Sequence, residues 1–405
     1  MTDATTSQAA EILGAPLDLP GGLRLKNRLI KSPMSDGLGD GAGNPTLDQS
    51  RLYARWAEGG AALSLIGEVQ ISPEFPESPG NLVLAPGSAD GPWRDLAQRG
   101  AGHGAQLWPQ LGHAGALAHA ALSRPRGPSP LSLGGRPVAG MGADDIAALP
   151  SAYGAAALRA KRLGFRGVQI HAGHGFLLSQ FLSPFFNHRS DGYGGSRAGR
   201  FRLIGEVIAA TRQAVGPGFA IGIRINATDQ LEGGLTEADA RETLRLLSGT
   251  SIDLIDISGG SYVPGAPASS DGTAQDGAYF AEVAKAARAL TRIPVVLTGG
   301  IKRRAQAVDL LRNGGADAIG LARAMVLDPA LPKSWLAPKG TDPVFPRFDA
   351  PPPGGITAWY TMRLAALAAG GDAAPDLDLS AALGAIAARD AQRIPRWQAR
   401  FGAMV

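Results

Sequence analysis

Two histidines three positions apart are the residues of this chain best suited to chemistry. His171 and His174 follow the apolar run Val168 to Ile170, which is predicted to form a buried strand. A neutral imidazole keeps one N–H donor near pH 7, so two converging rings can hold one carbonyl or phenolate oxygen. Zinc binding is the alternative, but it needs a third and usually a fourth ligand. The sequence has no cysteine and no HExxH motif, which disfavours zinc.

Two glycine-containing turns, Thr298 to Gly300 and Gly320 to Arg323, are typical of a phosphate site. Each turn follows an apolar run and precedes a helical pattern, which places backbone N–H groups beside an arginine. In (β/α)8 barrels the loops after the seventh and eighth strands commonly bind phosphate. The glycines could instead make tight turns and nothing more. Their paired location with Arg323 favours a phosphorylated ligand.

Polar residues are also predicted at the ends of two other strands. Gln110 and His113 end the third apolar run of the chain, and Arg224 ends the fifth. An arginine inside a barrel needs an anionic partner, because a buried unpaired charge is costly. The edge of a flavin ring where negative charge collects on reduction is one such partner. A salt bridge with Glu68, at the end of the second run, is the other, and both can be true.

These residues lie on eight repeats of an apolar strand followed by a helix. Apolar strands that alternate with helices form a parallel sheet, and eight strands can close a barrel. An open, doubly wound sheet would show a dinucleotide-binding fingerprint after its first strand, and none is present. We therefore predict an α/β protein with a (β/α)8 TIM barrel. The predicted strands cover residues 23–30, 61–71, 105–111, 168–170, 219–225, 252–257, 294–297 and 316–319.

Three segments of the chain are predicted from the spacing of these repeats. Residues 1–15 are interpreted as a mobile N-terminal tail, and residues 16–328 as the barrel. Residues 329–405 form a proline-rich strap and helices that are too short to fold alone, so they pack on the barrel or on a partner subunit. The segment 116–142 is too long for a plain connection and is predicted to be a lid over the barrel mouth.

Composition excludes several classes of protein. The 405 residues carry a net charge of +4 with no block of basic residues, which argues against a nucleic-acid partner. The absence of cysteine excludes disulfides, thiolate catalysis and cysteine-ligated iron–sulfur clusters. The first ten residues lack a signal peptide pattern, and no apolar run approaches the ~20 residues that cross a membrane. We expect a cytoplasmic protein with no membrane partner, and a homo-oligomer is compatible with the sequence.

The stretch HAGHGFLLSQFLSPFFNHRSDGYGGS, residues 171–196, resembles the fourth-strand signature of the Old Yellow Enzyme family of FMN-dependent ene-reductases. The resemblance covers roughly residues 23–329 and implies a substrate pair formed by His171 and His174. Without cysteine, the chain cannot be one of the larger members that add an iron–sulfur region. The resemblance also implies a set of FMN-binding residues, namely Pro33, Met34, Ser35, Val69, Gln110, Arg224, Gly299, Gly300, Ala322 and Arg323.

One residue departs from the family pattern. The family usually has a tyrosine two positions after the second histidine, and that tyrosine protonates the substrate, whereas this chain has Phe176. Phe176 cannot donate a proton. Tyr262, just past the sixth strand, is the preferred replacement as catalytic acid. Asp36, just past the first strand, is the second candidate, and we place it with Phe176 in the substrate pocket.

The resemblance implies an FMN-dependent oxidoreductase. NADH or NADPH would reduce a non-covalently bound FMN by hydride transfer, and the acceptor would be an activated C=C bond of an enone or enal, or a quinone-like compound. The carbonyl oxygen of the acceptor would lie between His171 and His174. Two alternatives remain at this stage: a flavin-dependent oxidase, dehydrogenase or isomerase on the same scaffold, or a flavin-free barrel that binds a phosphorylated metabolite.

Overall fold

Eight parallel strands close a barrel at the centre of the fold, as the sequence predicts. The computed structural model describes residues 2–85, 87–263, 277–373 and 376–402, with the side chains of residues 2–7 and 68 left out. The first strand pairs with the second through Ile30 and Leu63, and with the eighth through Ile30 and Gly320. The strands are β1 (Leu29–Lys31), β2 (Leu63–Gln70), β3 (Gln106–Gly112), β4 (Gly167–Ala172), β5 (Ala220–Asn226), β6 (Leu254–Ser258), β7 (Val295–Thr298) and β8 (Ala318–Leu321).

Helices surround the barrel because each has one apolar face that packs against the strands. Thr236 caps its helix, since its hydroxyl accepts a hydrogen bond from the backbone N–H of Asp239, and Thr46 caps another in the same way. The helices are α1 (Thr2–Gly14), α2 (Leu47–Glu58), α3 (Asp90–Gly100), α4 (Ala143–Arg162), α5 (Leu177–Leu182), α6 (Arg197–Val215), α7 (Glu237–Leu247), α8 (Ala281–Leu290), α9 (Arg304–Arg312), α10 (Ala324–Leu327), α11 (Leu331–Leu336), α12 (Gly355–Ala368) and α13 (Leu379–Phe401). None of the helices in the described part of the chain is long and apolar enough to cross a lipid bilayer.

The N-terminal segment corrects the prediction of a mobile tail over residues 1–15. Residues Thr2–Gly14 form α1, and the chain then makes a short antiparallel pair between Leu17–Asp18 and Arg24–Leu25. Leu13 is fully buried, and its carbonyl accepts a hydrogen bond from the backbone N–H of Arg28. Burial of this leucine anchors a segment whose polar composition alone suggests no structure.

The predicted lid, residues 116–142, is a folded unit rather than a plain loop. Its short strands are Arg126–Gly127, Leu131–Leu133 and Arg136–Gly140. Arg189, from the loop after β4, donates hydrogen bonds to the carbonyls of Pro128 and Met141 at 2.9 and 2.8 Å. The lid therefore packs on the loop that follows the histidine strand, although among the described residues none of the lid lines the central pocket.

The C-terminal extension packs on the loops at the carboxyl ends of the strands. The predicted strap contains the short helix α11, and α12 and α13 follow it. The guanidinium of Arg393 on α13 donates to the carbonyl of Gly37 at 2.7 Å, and Trp397 packs against Val83 and Leu122. The helix α13 thus lies across the loops that follow β1, β2 and β3.

Candidate functional site

A pocket that is partly open to solvent lies at the carboxyl ends of the barrel strands. This is the face at which barrel enzymes place their active sites. All the residues predicted to form the site line this pocket, with the exception of Val69, Asp36 and Phe176. The predicted residues that line it are Pro33, Met34, Ser35, Gln110, His171, His174, Arg224, Tyr262, Gly299, Gly300, Ala322 and Arg323.

His171 is presented to the pocket as a neutral hydrogen-bond donor. It lies next to the end of β4, where its backbone is in register with Arg224 of β5. Its Nδ1 accepts a hydrogen bond from the backbone N–H of Gly173 at 3.3 Å, so the ring proton is on Nε2. Burial, with a further contribution from the Arg224 charge, lowers the pKa of His171 to about 3. The imidazole therefore stays neutral and keeps its Nε2–H donor at physiological pH.

The backbone of His174 is held in a conformation that non-glycine residues rarely adopt. Its φ angle is 60°, in the left-handed region. The backbone N–H of His174 donates to Asn226 Oδ1 at 3.0 Å, and its carbonyl accepts from the N–H of Tyr262 at 3.1 Å. The side-chain amide of Asn226 in turn donates to Asp229 Oδ1 at 2.8 Å and to the carbonyl of Gly260 at 2.9 Å. This network fixes the position of the ring, as is common where strain serves a site.

The ring of His174 is also neutral and lies within hydrogen-bonding distance of a hydroxyl group. Burial lowers the pKa of His174 well below its usual value, and the charges of Arg224 and His171 lower it further. The Nε2 of His174 lies 3.1 Å from Ser258 Oγ. The rings of His171 and His174 are edge-to-face with centroids 5.3 Å apart. Two neutral imidazoles therefore share one wall of the pocket.

A layer of polar side chains lies across the barrel interior beneath the pocket. Arg224 is 2% exposed, and its Nε lies 3.6 Å from Asp256 Oδ2. Asp256 accepts hydrogen bonds from Thr298 Oγ1 at 2.8 Å and from Gln169 Nε2 at 3.2 Å. Gln169 in turn accepts from Gln110 Nε2 at 2.7 Å. The layer thus connects the predicted flavin residues of β3 and β5 through a carboxylate that the sequence analysis did not identify.

Arg224 retains an unused donor in this layer. Its Nε–H has no hydrogen-bond partner among the described residues, although it is buried. A buried donor without a partner is costly, which indicates that a ligand atom completes the site. The side chain of Glu68, the alternative partner in the sequence analysis, lies outside the described part of the structure, and the observed ion pair is with Asp256.

Close backbone approaches shape two parts of the pocket. A Cβ on Gly67 of β2 would lie 2.2 Å from the carbonyl oxygen of Met34, so glycine is required for the Pro33–Ser35 turn to cross there. At the other end, Gly300 has φ 75°, and a Cβ on it would lie 1.8 Å from the carbonyl of Gly277. Arg323 lines the same end of the pocket. A glycine turn beside a cation is suited to a phosphate group.

The arrangement fits FMN. Arg224 and Gln110 line the pocket and would hold the polar edge of the flavin ring, whereas Gly300, Ala322 and Arg323 would hold its phosphate. Among the described residues no group of three histidine or acidic side chains could hold a metal ion. The site therefore offers one set of polar groups to the flavin ring and another set to its phosphate.

Two of the predicted residues, Asp36 and Val69, are not among those that line the pocket. Asp36 is 4% exposed and accepts hydrogen bonds from Gln49 Nε2, the hydroxyl of Tyr53 and the N–H of Leu38. Burial raises the pKa of Asp36, but its oxygens face α2 and not the pocket. Val69 is fully buried in the hydrophobic core, since the register of β2 against β3 shifts just before it.

Phe176 is not among the residues that line the pocket, but its ring lies beside two side chains that do. Its ring centroid is 4.9 Å from that of His171 and 6.0 Å from that of Tyr262. It also packs against Ala114 and Ala118. Tyr262 is half-exposed, lines the pocket, and has its ring centroid 5.7 Å from that of His174. A phenol at position 262 therefore has access to a molecule held by the histidines.

Sequence reasoning missed several residues in and beneath the pocket, and two groups of them are instructive. Ser258, which lines the pocket, and Asp256, in the polar layer below it, end the sixth strand at alternate positions. The two-residue period of a strand could have identified them. The second group lies in the C-terminal extension, where no sequence motif indicated residues of the site. Its members are Phe345, Ile356, Thr357, Tyr360 and Thr361.

Residues 13–336 match the model of the NADH:flavin oxidoreductase / NADH oxidase family. The NADH-dependent flavin oxidoreductase iliE of Hypocrea jecorina is 31% identical over 352 residues, which cover 79% of this chain and 87% of that protein. The Old Yellow Enzyme homologue from Zymomonas mobilis has the same fold, with a TM-score of 0.70 and 24% identity over 80% of this chain and 92% of that one.

A third similar protein is longer than this chain. 2-Naphthoyl-CoA reductase superposes with a TM-score of 0.75 and 25% identity over 80% of this chain, which spans only 52% of that protein's length. The family match and the relatives indicate FMN as the cofactor and NAD(P)H as the reductant, which removes the flavin-free alternative. With this fold and this site, the chain belongs to the NADH:flavin oxidoreductase / NADH oxidase family, the family of Old Yellow Enzyme.

Proposed function

We propose that this oxidoreductase reduces electron-poor acceptors whose carbonyl or quinone oxygen binds between His171 and His174, and that quinone-like acceptors are preferred over simple enones. The observation that carries the proposal is the pair of neutral imidazoles on one wall of the pocket, combined with phenylalanine at position 176. Bound FMN supplies the hydride chemistry, taking a hydride from NAD(P)H and passing it on.

The two histidines stabilise the charge that develops on the acceptor oxygen. Each presents a donor that is already oriented and neutral, so little reorganisation is needed as negative charge grows. A positively charged imidazole would instead protonate a bound phenolate. The lowered pKa values of His171 and His174 prevent that over the physiological range. Each donor is expected to contribute ~2.7–4 kcal/mol, as oxyanion-hole donors do.

Proton delivery distinguishes the two acceptor classes. An enone needs a proton on carbon, whereas a reduced quinone takes its protons on oxygen, where solvent can supply them. Phe176 lacks the acid, and its ring lies beside that of His171. Tyr262 lines the pocket, and its phenol ring lies next to His174. We therefore assign carbon protonation to Tyr262, and expect it to be slower than in relatives with a tyrosine at the position of Phe176.

The proposal is tested by anaerobic stopped-flow measurements of flavin reoxidation. Enzyme reduced with one equivalent of NADH or NADPH is mixed with a benzoquinone or with cyclohexenone. We expect faster reoxidation by the quinone, and slower reoxidation by both acceptors in the His171→Ala/His174→Ala variant. Equal or faster reaction with cyclohexenone would contradict the preference. Unchanged rates in the double variant would contradict the role of the histidines.

A further inference from the structure

The wall of the pocket beside Arg323 comes from a part of the chain that lies beyond the family match. That match ends at residue 336, whereas Thr357, Tyr360 and Thr361 of α12 line the pocket. We propose that Tyr360 is a positioning residue for the cofactor phosphate and acts by orienting Arg323. The inference rests on the proposed role of Arg323 in holding the phosphate of FMN.

The first support is the geometry between the two side chains. The Cζ of Arg323 lies 5.6 Å from the centroid of the Tyr360 ring, within the range of a cation–π interaction. In the described part of the chain this guanidinium makes no hydrogen bond or ion pair with the protein. Its N–H donors therefore remain for a ligand, while its central carbon lies over an aromatic ring.

The second support is that the ring of Tyr360 is itself held firmly. Tyr360 is 2% exposed, and its ring meets Trp359 edge-on with centroids 5.1 Å apart. Trp359 in turn packs against Phe348 at 5.5 Å. The C-terminal end of α12 is tied to the barrel by Arg55 of α2, which donates to the carbonyl of Leu367 at 3.0 Å. The ring is therefore a rigid platform.

A rigid platform matters because arginine is long and flexible. Free in solvent, the side chain samples many rotamers, and binding a phosphate would cost the entropy of fixing one of them. The cation–π contact with Tyr360 orients the guanidinium before the ligand binds and leaves its N–H groups available. The effect should therefore depend on the phosphate, and a flavin without a phosphate should not benefit from it.

Riboflavin, which lacks the phosphate, provides the comparison. The apoprotein is titrated with FMN and with riboflavin, and binding is followed by quenching of flavin fluorescence. Tyr360→Leu keeps an apolar side chain and removes the ring, whereas Tyr360→Phe keeps the ring. We expect Tyr360→Leu to weaken FMN binding by about 5- to 30-fold while riboflavin binding stays close to wild type. Tyr360→Phe should bind both flavins like the wild type.

Two further variants test whether Tyr360 acts through Arg323. In an Arg323→Gln background, Tyr360→Leu should have no additional effect on FMN binding, because its partner is already absent. Tyr193→Leu is the matched control, since Arg202 lies over the Tyr193 ring at 4.6 Å outside the pocket. Tyr193→Leu should change neither the affinity for FMN nor the affinity for riboflavin. If Tyr360→Leu does not fold, Tyr360→Met takes its place in the same cycle.

Three results would overturn the inference while leaving the proposed phosphate role of Arg323 in place. An equal loss of FMN and riboflavin affinity would make Tyr360 a general wall residue. If Tyr360→Leu weakens FMN binding by the same factor in the Arg323→Gln background, Tyr360 does not act through the arginine. Tyr360→Phe weakening FMN as much as Tyr360→Leu would assign the effect to the hydroxyl. If the wild type binds FMN no tighter than riboflavin, the phosphate role of Arg323 fails first, and this inference fails with it.

Discussion

The Nε2 of His174 lies 3.1 Å from the hydroxyl oxygen of Ser258, so the two groups share one hydrogen bond. Burial keeps the imidazole neutral, so it has one N–H. If the Ser258 hydroxyl donates to Nε2, the ring proton is on Nδ1, and if Nε2 donates to the hydroxyl, Nδ1 carries no proton. We predict the first arrangement, in which Nδ1 can donate to a bound oxygen.

Ser258→Ala tests whether the serine hydroxyl determines the tautomer of His174. Loss of the hydroxyl removes the preference for one tautomer, so binding of phenols that carry a negative oxygen should weaken by roughly 1 kcal/mol. Equilibrium titration with p-hydroxybenzaldehyde measures it. Ser258→Thr keeps the hydroxyl and is the control. Full phenol affinity in Ser258→Ala would mean that the serine does not set the tautomer.

Phe176→Tyr should increase enone turnover by placing an acid next to His171, by up to the ~10²–10⁴-fold typical of a positioned general acid. Quinone turnover should change little, because no carbon is protonated. Tyr262→Phe should lower enone turnover in the wild-type background. Steady-state kinetics with both acceptors measures these effects. If neither variant changes enone turnover, water is the donor and the assignment to Tyr262 is wrong.

The histidines make the stability depend on pH. The pKa values of His171 and His113 are lowered to about 3 by burial, below the value of ~6.5 in an unfolded chain. Between these values the unfolded chain binds protons that the folded protein does not, so stability falls as the pH decreases below ~6.5. The maximum slope is ~1.4 kcal/mol per pH unit for each histidine.

Urea unfolding between pH 7.5 and 5 measures this slope. His171→Asn should lose less stability on acidification than the wild type, because one buried neutral imidazole has been removed. The rate of flavin reoxidation by a quinone should show no ionisation near pH 6.5 that belongs to His171 or His174. Equal slopes in the two proteins would show that His171 is not a neutral buried group.

The carboxylate of Asp256 should control the charge that Arg224 presents to the flavin. Asp256→Asn removes the counter-charge at 3.6 Å, so the arginine stabilises the reduced, anionic flavin more strongly. The reduction potential of bound FMN should therefore rise, by ~30 mV for each 1.4 kcal/mol. Dye equilibration measures it. The control is Asp253→Asn, which breaks an ion pair with Arg212 away from the pocket, and an equal shift there would refute the assignment.

Residues at strand ends were predictable from the sequence because burial leaves a strong pattern. The run Val168 to Ile170 marks β4, observed as Gly167–Ala172, and the polar residues that follow it reach the pocket. Buried parallel strands are continuously apolar, so a polar residue at the carboxyl end stands out. The same logic places Gln110 and Arg224 correctly in the pocket.

Other parts of the site depend on packing that no local pattern records. The direction of Asp36 is decided by Gln49 and Tyr53 on the following helix. The position of Val69 follows from a register shift that apolar periodicity does not reveal. Tyr360 reaches Arg323 only because α12 docks against the barrel.

The central claim is that His171 and His174 together hold the oxygen of a ligand beside bound FMN. The most direct measurement is an absorbance titration of the flavoprotein with p-hydroxybenzaldehyde, because phenols give a long-wavelength band in Old Yellow Enzyme relatives. We expect this band in the wild type and its loss in the His171→Ala/His174→Ala variant, which still contains FMN. A band of unchanged intensity and affinity in the double variant would show that the two histidines do not hold the oxygen.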